Sequence, residues 1–244
     1  MDPTLPKLYT TLSGWWQLFS PTSDYADEAE FLKKLFMDAG VKTVLELGAG
    51  GGNIAWYLKK DFELTLTDLS SEMLKMSKKQ NPECEHFEGD MRTLNLNKSF
   101  DAVFIHDAIM YILNEKDLLT TFKNAAKHLK TGSLIVIAPD CTRETFKETT
   151  DYEGHDDNER SVRYMQWTTD PNPNDTEFNY DFIIALKERD KLRTVVDRQV
   201  CGLFPRQTWL DLLDKTGFKA KAITDSSTAG EANERIEIFV GIKS

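Results

Sequence analysis

The stretch of this sequence best suited to bind a ligand is the run T-V-L-E-L-G-A-G-G-G-N-I-A-W-Y at 43–57. Its apolar start predicts a buried strand, its alternating glycines a tight turn, and its end a helix. Such a turn lets a ligand approach bare backbone at the N-terminus of a helix. Glu46 lies inside the predicted strand, where a carboxylate costs free energy unless it is paired. The turn therefore favours a cationic ligand over a pyrophosphate.

A second acidic residue, Asp68, indicates a further chemical group of this ligand. The run E-L-T-L-T at 63–67 predicts the next strand, and Asp68 ends it. An acid at this distance from the glycine turn is placed to accept hydrogen bonds from the two hydroxyls of a ribose. The dinucleotide fingerprint G-x-G-x-x-G would need glycine at position 53, where this chain has Asn53. A NAD-type oxidoreductase is therefore the less favoured alternative.

The elements that must position these residues alternate between strands and helices. Besides the two strands above, apolar runs predict strands at 84–88, 100–105, 134–138, 218–224 and 236–242, and helical spacing predicts helices at 25–39, 116–130 and 207–216. The last two strands are joined by a polar loop at 225–234 without a helix, so they should be antiparallel. We therefore predict a Rossmann-like α/β fold, with a seven-stranded, mostly parallel sheet and an antiparallel last strand.

Two segments do not follow this alternation. Residues 141–200 contain β-like runs at 163–168, 176–187 and 191–200, with turns at P-N-P-N-D and K-E-R-D-K. They predict an inserted antiparallel ribbon that covers the substrate at the strand ends. Residues 1–24 are rich in aromatic side chains and predict an N-terminal flap. We expect residues 1–244 to form a single domain that includes both segments.

Several motifs together resemble one enzyme family. E-L-G-A-G-G-G and T-L-T-D-L-S resemble motif I and the acidic loop of the class I S-adenosylmethionine-dependent methyltransferases. The chain looks most similar to the small-molecule branch that includes N,N-dimethyltransferases of nucleotide-linked aminosugars, on the motifs D-Y-x-x-E-A (24–29), D-L-S-x-x-M-L (68–74), G-D-M-R (89–92), F-D-A-V (100–103) and L-F-P-R (203–206). It departs from this branch at Trp16, where a flap tyrosine is usual, and at H-D-A-I-M-Y (106–111), which replaces a small, serine-rich segment.

The resemblance implies S-adenosylmethionine as cofactor and methyl transfer to a nitrogen or oxygen of a small molecule. It implies that Asp90 accepts a hydrogen bond from the adenine amino group and that Met91 lies beside the ring. The full set of cofactor-binding candidates is Trp16, Tyr25, Glu46, Gly48, Ala49, Gly50, Asn53, Asp68, Leu69, Met73, Asp90, Met91, Arg92 and His106.

His106 and Tyr111 are the candidates for catalysis. Methyl transfer from a sulfonium depends mainly on alignment and on the exclusion of water, so no residue type is obligatory. A base helps when the acceptor is a hydroxyl or a protonated amine. His106 is the candidate base, with Asp107 or Tyr111 orienting it or the acceptor. Alternatively, His106 only packs at the end of its strand or contacts the cofactor.

The composition of this chain limits the kinds of partner that are expected. A net charge of −10 disfavours nucleic acid as a substrate, and no run is apolar and long enough to span a bilayer. The three cysteines form no C-x-x-C pair, which predicts neither a disulfide framework nor a zinc site and favours the reducing cytoplasm. The expected partner is a small-molecule methyl acceptor, and both a monomer and a homodimer fit the sequence. A non-catalytic, methyltransferase-like binding protein stays an alternative.

Overall fold

Eleven strands and six α-helices make up the computed structural model in the described residues, 5–225 and 236–244. The strands are β1 (Thr43–Leu47), β2 (Glu63–Asp68), β3 (Glu85–Glu88), β4 (Phe100–Ile105), β5 (Leu129–Ile137), β6 (Thr149–Glu153), β7 (Arg160–Thr169), β8 (Glu177–Glu188), β9 (Lys191–Gly202), β10 (Phe218–Asp225) and β11 (Ile236–Lys243). The helices are α1 (Trp16–Phe19), α2 (Ala26–Asp38), α3 (Asn53–Leu58), α4 (Ser71–Gln80), α5 (Glu115–Lys127) and α6 (Arg206–Lys215).

Seven of the strands form the main sheet, in the order β3-β2-β1-β4-β5-β11-β10. The first five are parallel, and β11 runs antiparallel to both β5 and β10. This arrangement confirms the predicted fold class. Because parallel strands end at a common edge, the residues that follow β1 to β5 lie along one side of the sheet.

Both faces of the main sheet are buried under helices. Leu45, Val103 and Ile105 point to one face, where they join a cluster that includes Phe122 of α5 and Trp209 of α6. On the other face, alternate strand residues pack against side chains of α2 and α3. The strand residues are Val44, Leu66, Ala102 and Phe104, and the helix residues are Leu32, Phe36, Ile54 and Ala55. Alternate residues of a strand point to opposite faces, so the continuous apolar runs of β1 and β4 serve both layers.

The inserted segment forms a separate antiparallel sheet, in the order β6-β7-β8-β9. The inserted antiparallel ribbon is thus confirmed, but it has four strands where the sequence predicts three. The additional strand is β6, whose residues T-T-D-Y-E are almost all exposed and show no apolar alternation. Another difference lies in α5, which ends at Lys127 rather than at 130 because Leu129 already pairs with Phe100.

The N-terminal segment, here residues 5–25, packs against the inserted sheet. Its buried side chains Leu8, Leu12 and Leu18 share a cluster with residues of β7 and β8, namely Val162, Phe182, Ile184 and Leu186. Nδ1 of His155 donates a hydrogen bond to the Leu18 carbonyl oxygen at 2.9 Å.

The first four residues of the predicted flap and positions 226–234 of the predicted polar loop lie outside the described residues. Within the described ranges, no helix is long and apolar enough to cross a membrane.

Candidate active site

A cavity of about 420 Å³ lies at the edge where the parallel strands end. The main sheet, the N-terminal segment and the inserted sheet all contribute to its lining. Of the predicted cofactor-binding residues, all except Met73 line this cavity, and so does Tyr111. The structure therefore brings these candidates together in one place, while their roles stay predictions.

Met73 is the exception: it does not line the cavity, and its contact with a cofactor stays a prediction. Its backbone N–H is bound by the Ser70 hydroxyl that caps α4, at 3.2 Å, and its side chain is buried beneath the glycine turn. A Cβ atom added at Gly50 would lie 3.8 Å from the Met73 methyl group. Met73 thus packs under the turn and supports it from within the core.

The glycine turn is tightly enclosed by its neighbours. Gly48 has φ +82°, and a Cβ atom there would lie 2.3 Å from the Cβ of Ala108. A Cβ atom at Gly51 would lie 2.4 Å from Nε1 of Trp16. Both distances are far below van der Waals contact, so only glycine fits at these two positions. Trp16 closes the turn from the side of the N-terminal segment.

Asn53 links the N-terminal segment to the glycine turn by hydrogen bonds. It stands where the dinucleotide fingerprint G-x-G-x-x-G would have its third glycine. Its amide nitrogen donates to the Ser20 carbonyl oxygen at 3.1 Å, and its amide oxygen accepts from the Thr22 hydroxyl at 3.0 Å. A glycine at position 53 has no side chain and could make neither of these two bonds.

Asp68 is held by backbone on both sides. One carboxylate oxygen accepts from the Gly50 N–H at 2.8 Å, and the other accepts from the Ser70 N–H at 2.7 Å. Burial raises the pKa of Asp68, although these two hydrogen bonds counteract the rise. The carboxylate is therefore fixed in orientation between the glycine turn and the start of α4.

Glu46 is the most unusual carboxylate of the cavity. Its side chain lines the cavity and is only 4% exposed, and no described residue donates a hydrogen bond to its carboxylate. Burial raises the pKa of Glu46 to about 8, although the positive charge of His106 lowers it. A buried carboxylate without a partner is stabilised when a cation binds beside it.

Asp90, after β3, is paired with Arg92. The Arg92 Nη2 atom lies 2.6 Å from an Asp90 carboxylate oxygen, and its Nη1 atom lies 3.0 Å from Asp117. Burial by itself would raise the pKa of Asp90, but the Arg92 guanidinium lowers it below the usual value. Asp90 is thus an ionised hydrogen-bond acceptor at the rim of the cavity, next to Met91.

His106 lies between two carboxylates. Its Nε2 atom is 2.7 Å from Glu28 and 3.1 Å from Asp107. Burial would lower the pKa of His106, but the charges of Asp107, Glu28 and Asp140 raise it to about 10. A ring that these charges hold in the imidazolium form has no free nitrogen to accept a proton. This geometry does not favour the predicted role of His106 as a base, and that role stays a prediction.

Glu28 was missed by the sequence reasoning, although a signal was present. It lies on α2, one helical turn before the buried Leu32, and is itself only 7% exposed. A glutamate on the apolar face of a helix requires a partner, because side chains four residues apart share a face. The partner is His106.

Tyr111 belongs to a chain of hydrogen bonds that links three parts of the molecule. Its hydroxyl donates to the Gln199 amide oxygen at 2.5 Å and lies 2.8 Å from the Tyr9 hydroxyl. A phenol carries one proton, so Tyr9 is the donor in the second bond. Burial raises the pKa of both tyrosines, which keeps them neutral. Tyr9, Gln199 and the neighbouring Arg198 also line the cavity. Tyr9 belongs to the predicted flap, but none of the three is predicted individually as a site residue.

The strand order and the glycine turn after β1 are those of the class I S-adenosylmethionine-dependent methyltransferase fold. Residues 44–132 match the family model described as "Methyltransferase domain". These findings confirm the resemblance seen in the sequence.

Individual relatives agree with this class. The chain is 29% identical over 129 residues to a dTDP-3-amino-3,4,6-trideoxy-alpha-D-glucopyranose N,N-dimethyltransferase of Streptomyces venezuelae, covering 51% of this chain and 54% of the relative. It is 24% identical over 203 residues, and 80% of each chain, to the putative methyltransferase YqeM of Bacillus subtilis. The chain spans about half the length of the first of these curated relatives.

Solved structures share the complete fold. Streptomyces venezuelae DesVI superposes with a TM-score of 0.82 at 20% identity, covering 96% of this chain and 97% of that one. The sugar N-methyltransferase KedS8 from a Streptoalloteichus species gives a TM-score of 0.82 at 20% identity, covering 100% and 95% of the two chains. At these identities the likeness is one of fold, and it includes the inserted sheet.

Proposed function

We propose that this chain is an S-adenosylmethionine-dependent methyltransferase that acts on a small-molecule acceptor. The observation that carries the proposal is the row formed by Glu46, Asp68 and Asp90 along one cavity, in or after three adjacent strands. Neighbouring strands lie about 4.8 Å apart, so three successive acids follow an elongated ligand in fixed order. A cation, a ribose and an adenine in sequence match that order.

The residues of the cavity fit each part of the cofactor. Glu46, which no described residue neutralises by a hydrogen bond, would hold a positive charge of the methionine portion. Asp68 would accept hydrogen bonds from the ribose hydroxyls, and Asp90 from the adenine amino group. Trp16 and Met91 would pack on the apolar surfaces. The bound cofactor supplies a methyl group activated by its sulfonium, and the protein aligns the acceptor and excludes water.

The acceptor would occupy the part of the cavity lined by Tyr9, Asp107, Tyr111, Arg198 and Gln199. These residues come from the N-terminal segment, the end of β4 and the inserted sheet, and together they favour a compact polar molecule. The relative from Streptomyces venezuelae is named for a nucleotide-linked aminosugar, which makes such a sugar the first acceptor to test. We propose N-methylation of an acceptor of this kind.

Calorimetric titration with S-adenosylhomocysteine tests the proposed function. The Asp68→Ala variant should bind it more weakly by roughly 2–4 kcal/mol, because the ribose hydroxyls lose charge-assisted hydrogen bonds. Asp38→Ala, at the exposed end of α2, is the matched control and should bind as the unaltered chain does. Binding of NAD without binding of S-adenosylhomocysteine would favour the oxidoreductase alternative. Binding without methyl transfer to any of a panel of aminosugars would favour a non-catalytic binding protein.

We also propose that the chain works in the cytoplasm. Cys84, Cys141 and Cys201 are all free, as suits a reducing compartment. Fractionation of producing cells tests this proposal, and recovery of the chain with exported proteins would contradict it.

A further inference from the structure

The acceptor side of the cavity carries an acidic pair that belongs to adjacent strands. Asp107 follows β4 and lines the cavity, with 46% of its side chain exposed. Asp140 follows β5, which pairs with β4 up to Ile105 and Ile137. The Tyr180 hydroxyl donates to the Asp140 carboxylate at 3.1 Å. Asp107 and Asp140 therefore follow neighbouring parallel strands at the same end of the sheet.

The described residues supply this pair with little positive charge. His106 is the one cationic side chain among them within 4.0 Å of Asp107, and it is shared with Glu28. Arg198, which also lines the cavity, is bound to Asp181 through two hydrogen bonds of 2.5 and 2.9 Å. Desolvation in the cavity and the charge of Asp140 raise the pKa of Asp107, although the positive charge of His106 lowers it.

A second observation on this side also indicates a ligand. The Gln199 side chain is only 4% exposed and lines the same cavity. Its amide oxygen accepts from Tyr111, while its amide nitrogen has no hydrogen-bond partner among the described residues. A buried N–H group without a partner is destabilising, so an oxygen atom of a ligand beside Tyr111 would stabilise it.

We propose that Asp107, supported by Asp140, binds a protonated amine of the methyl acceptor, and that Gln199 donates to an oxygen atom near that amine. This proposal rests on the proposed function and assigns acceptor recognition to residues of this chain. An ammonium group offers the carboxylates a positive charge and three N–H donors. A hydroxyl group is neutral and would leave the negative charge of the carboxylates uncompensated. The Asp107 carboxylate can also take one proton from the ammonium, which leaves a neutral amine and a protonated Asp107.

Calorimetry on the protein saturated with S-adenosylhomocysteine tests the proposal. The probes are dTDP-3-amino-3,4,6-trideoxyglucose, the sugar after which the Streptomyces relative is named, and its counterpart with a hydroxyl in place of the amine. We expect the aminosugar to bind at least tenfold more tightly than the hydroxyl sugar. In Asp107→Asn that preference should fall below about threefold, since the variant keeps the shape of the side chain but loses its charge. Asp38→Asn is the matched control and should keep the full preference.

Asp140→Asn provides a second variant that does not alter the cavity lining. Asp140→Asn should reduce the preference for the aminosugar by about threefold. If Asp107→Asn does not fold, the result for Asp140→Asn tests the proposal by itself. Equal binding of the two sugars, no measurable binding of the aminosugar, or an unchanged preference in the folded variants overturns the proposal. If the unaltered chain does not bind S-adenosylhomocysteine, it is the proposed function that fails.

Discussion

The carboxylates of the cavity differ in what holds them. Asp68 accepts two backbone hydrogen bonds, and Asp90 is paired with Arg92, so both are suited to remain ionised when a ligand binds. Glu46 has neither kind of partner among the described residues and is mainly protonated at pH 7, since its pKa is about 8. Among these three acids, Glu46 is the one whose charge should change on binding.

We expect S-adenosylhomocysteine to release about one proton per molecule bound at pH 7. Its ammonium group favours the ionised form of Glu46, whose pKa falls from about 8 when the cation arrives. Calorimetry in two buffers with different ionisation enthalpies measures this release. Glu46→Gln should bind more weakly and release no proton. Identical binding enthalpies in the two buffers for the unaltered chain would contradict the prediction.

His106 should remain protonated up to a pH of about 10. Its pKa in the folded protein lies above the value of about 6.5 for a free imidazole. The ion pairs of His106 therefore contribute their full stability below about pH 6.5, and this contribution is lost as the pH rises through about 10. We expect the free energy of unfolding to fall between pH 7 and pH 10, and to fall less in His106→Gln.

Nuclear magnetic resonance can follow the titration of His106 directly. The chain has four histidines, and the resonance that disappears in His106→Gln identifies the one of interest. A midpoint near pH 6.5 for that resonance would show that the ring is not held by Glu28 and Asp107. It would also restore His106 as a candidate base.

At the scale of elements, the glycine turn between β1 and α3 allows a graded test of its packing. Gly48→Ala combines an unfavourable φ with a contact of 2.3 Å to Ala108 and should cost about 2–5 kcal/mol. Gly132→Ala has a similar φ of +86° in open space and should cost roughly 1–2 kcal/mol. Gly14→Ala has neither feature and should change stability by about 0.5 kcal/mol or less.

Denaturation with urea measures these three free energies of unfolding. A cost for Gly48→Ala no greater than that for Gly132→Ala would mean that Ala108 moves away freely. The turn would then tolerate more than the tight contacts of the structure indicate.

Elements with a strong apolar period were predictable from the sequence, and those without one were not. β4 has the predicted bounds because F-D-A-V-F-I is apolar on both faces, whereas β6 is an exposed edge strand without such a pattern. The cavity residues at strand ends were predictable, since parallel strands share an edge. Glu28 meets His106, and Gln199 reaches the cavity, only through the packing of α2 and β9, which depends on contacts distant in the sequence.

At the scale of the whole molecule, the N-terminal segment connects the two sheets. Trp16 packs on the glycine turn, Asn53 binds Ser20, and Leu8, Leu12 and Leu18 are buried against the inserted sheet. These contacts support our proposal that residues 1–244 form one domain. They also agree with the predicted flap, whose closure over a cofactor stays a prediction.

Digestion with proteinase K tests the flap. Cleavage near positions 20–23 should slow by up to about 100-fold in the presence of S-adenosylhomocysteine at 100 times its dissociation constant, since the ligand favours the closed form. Cleavage at the exposed turn between β8 and β9, near Arg189, serves as the internal control and should not change. Equal cleavage near 20–23 with and without the ligand would leave the segment as a packed, immobile part of the fold.

The bond between the Leu8 N–H and the Asp197 carboxylate joins residues 189 positions apart in the sequence. Most of the chain must therefore be synthesised before the first described residues meet their partners. Closing so long a loop is entropically costly, and contacts between distant residues slow folding. The glycine turn and β1 to β4 depend on no residue beyond Ile105 for their mutual pairing, so they can assemble earlier. On the ribosome, the N-terminal segment, which emerges before both sheets, would then be among the last parts to reach its native position, after the surface it covers has formed.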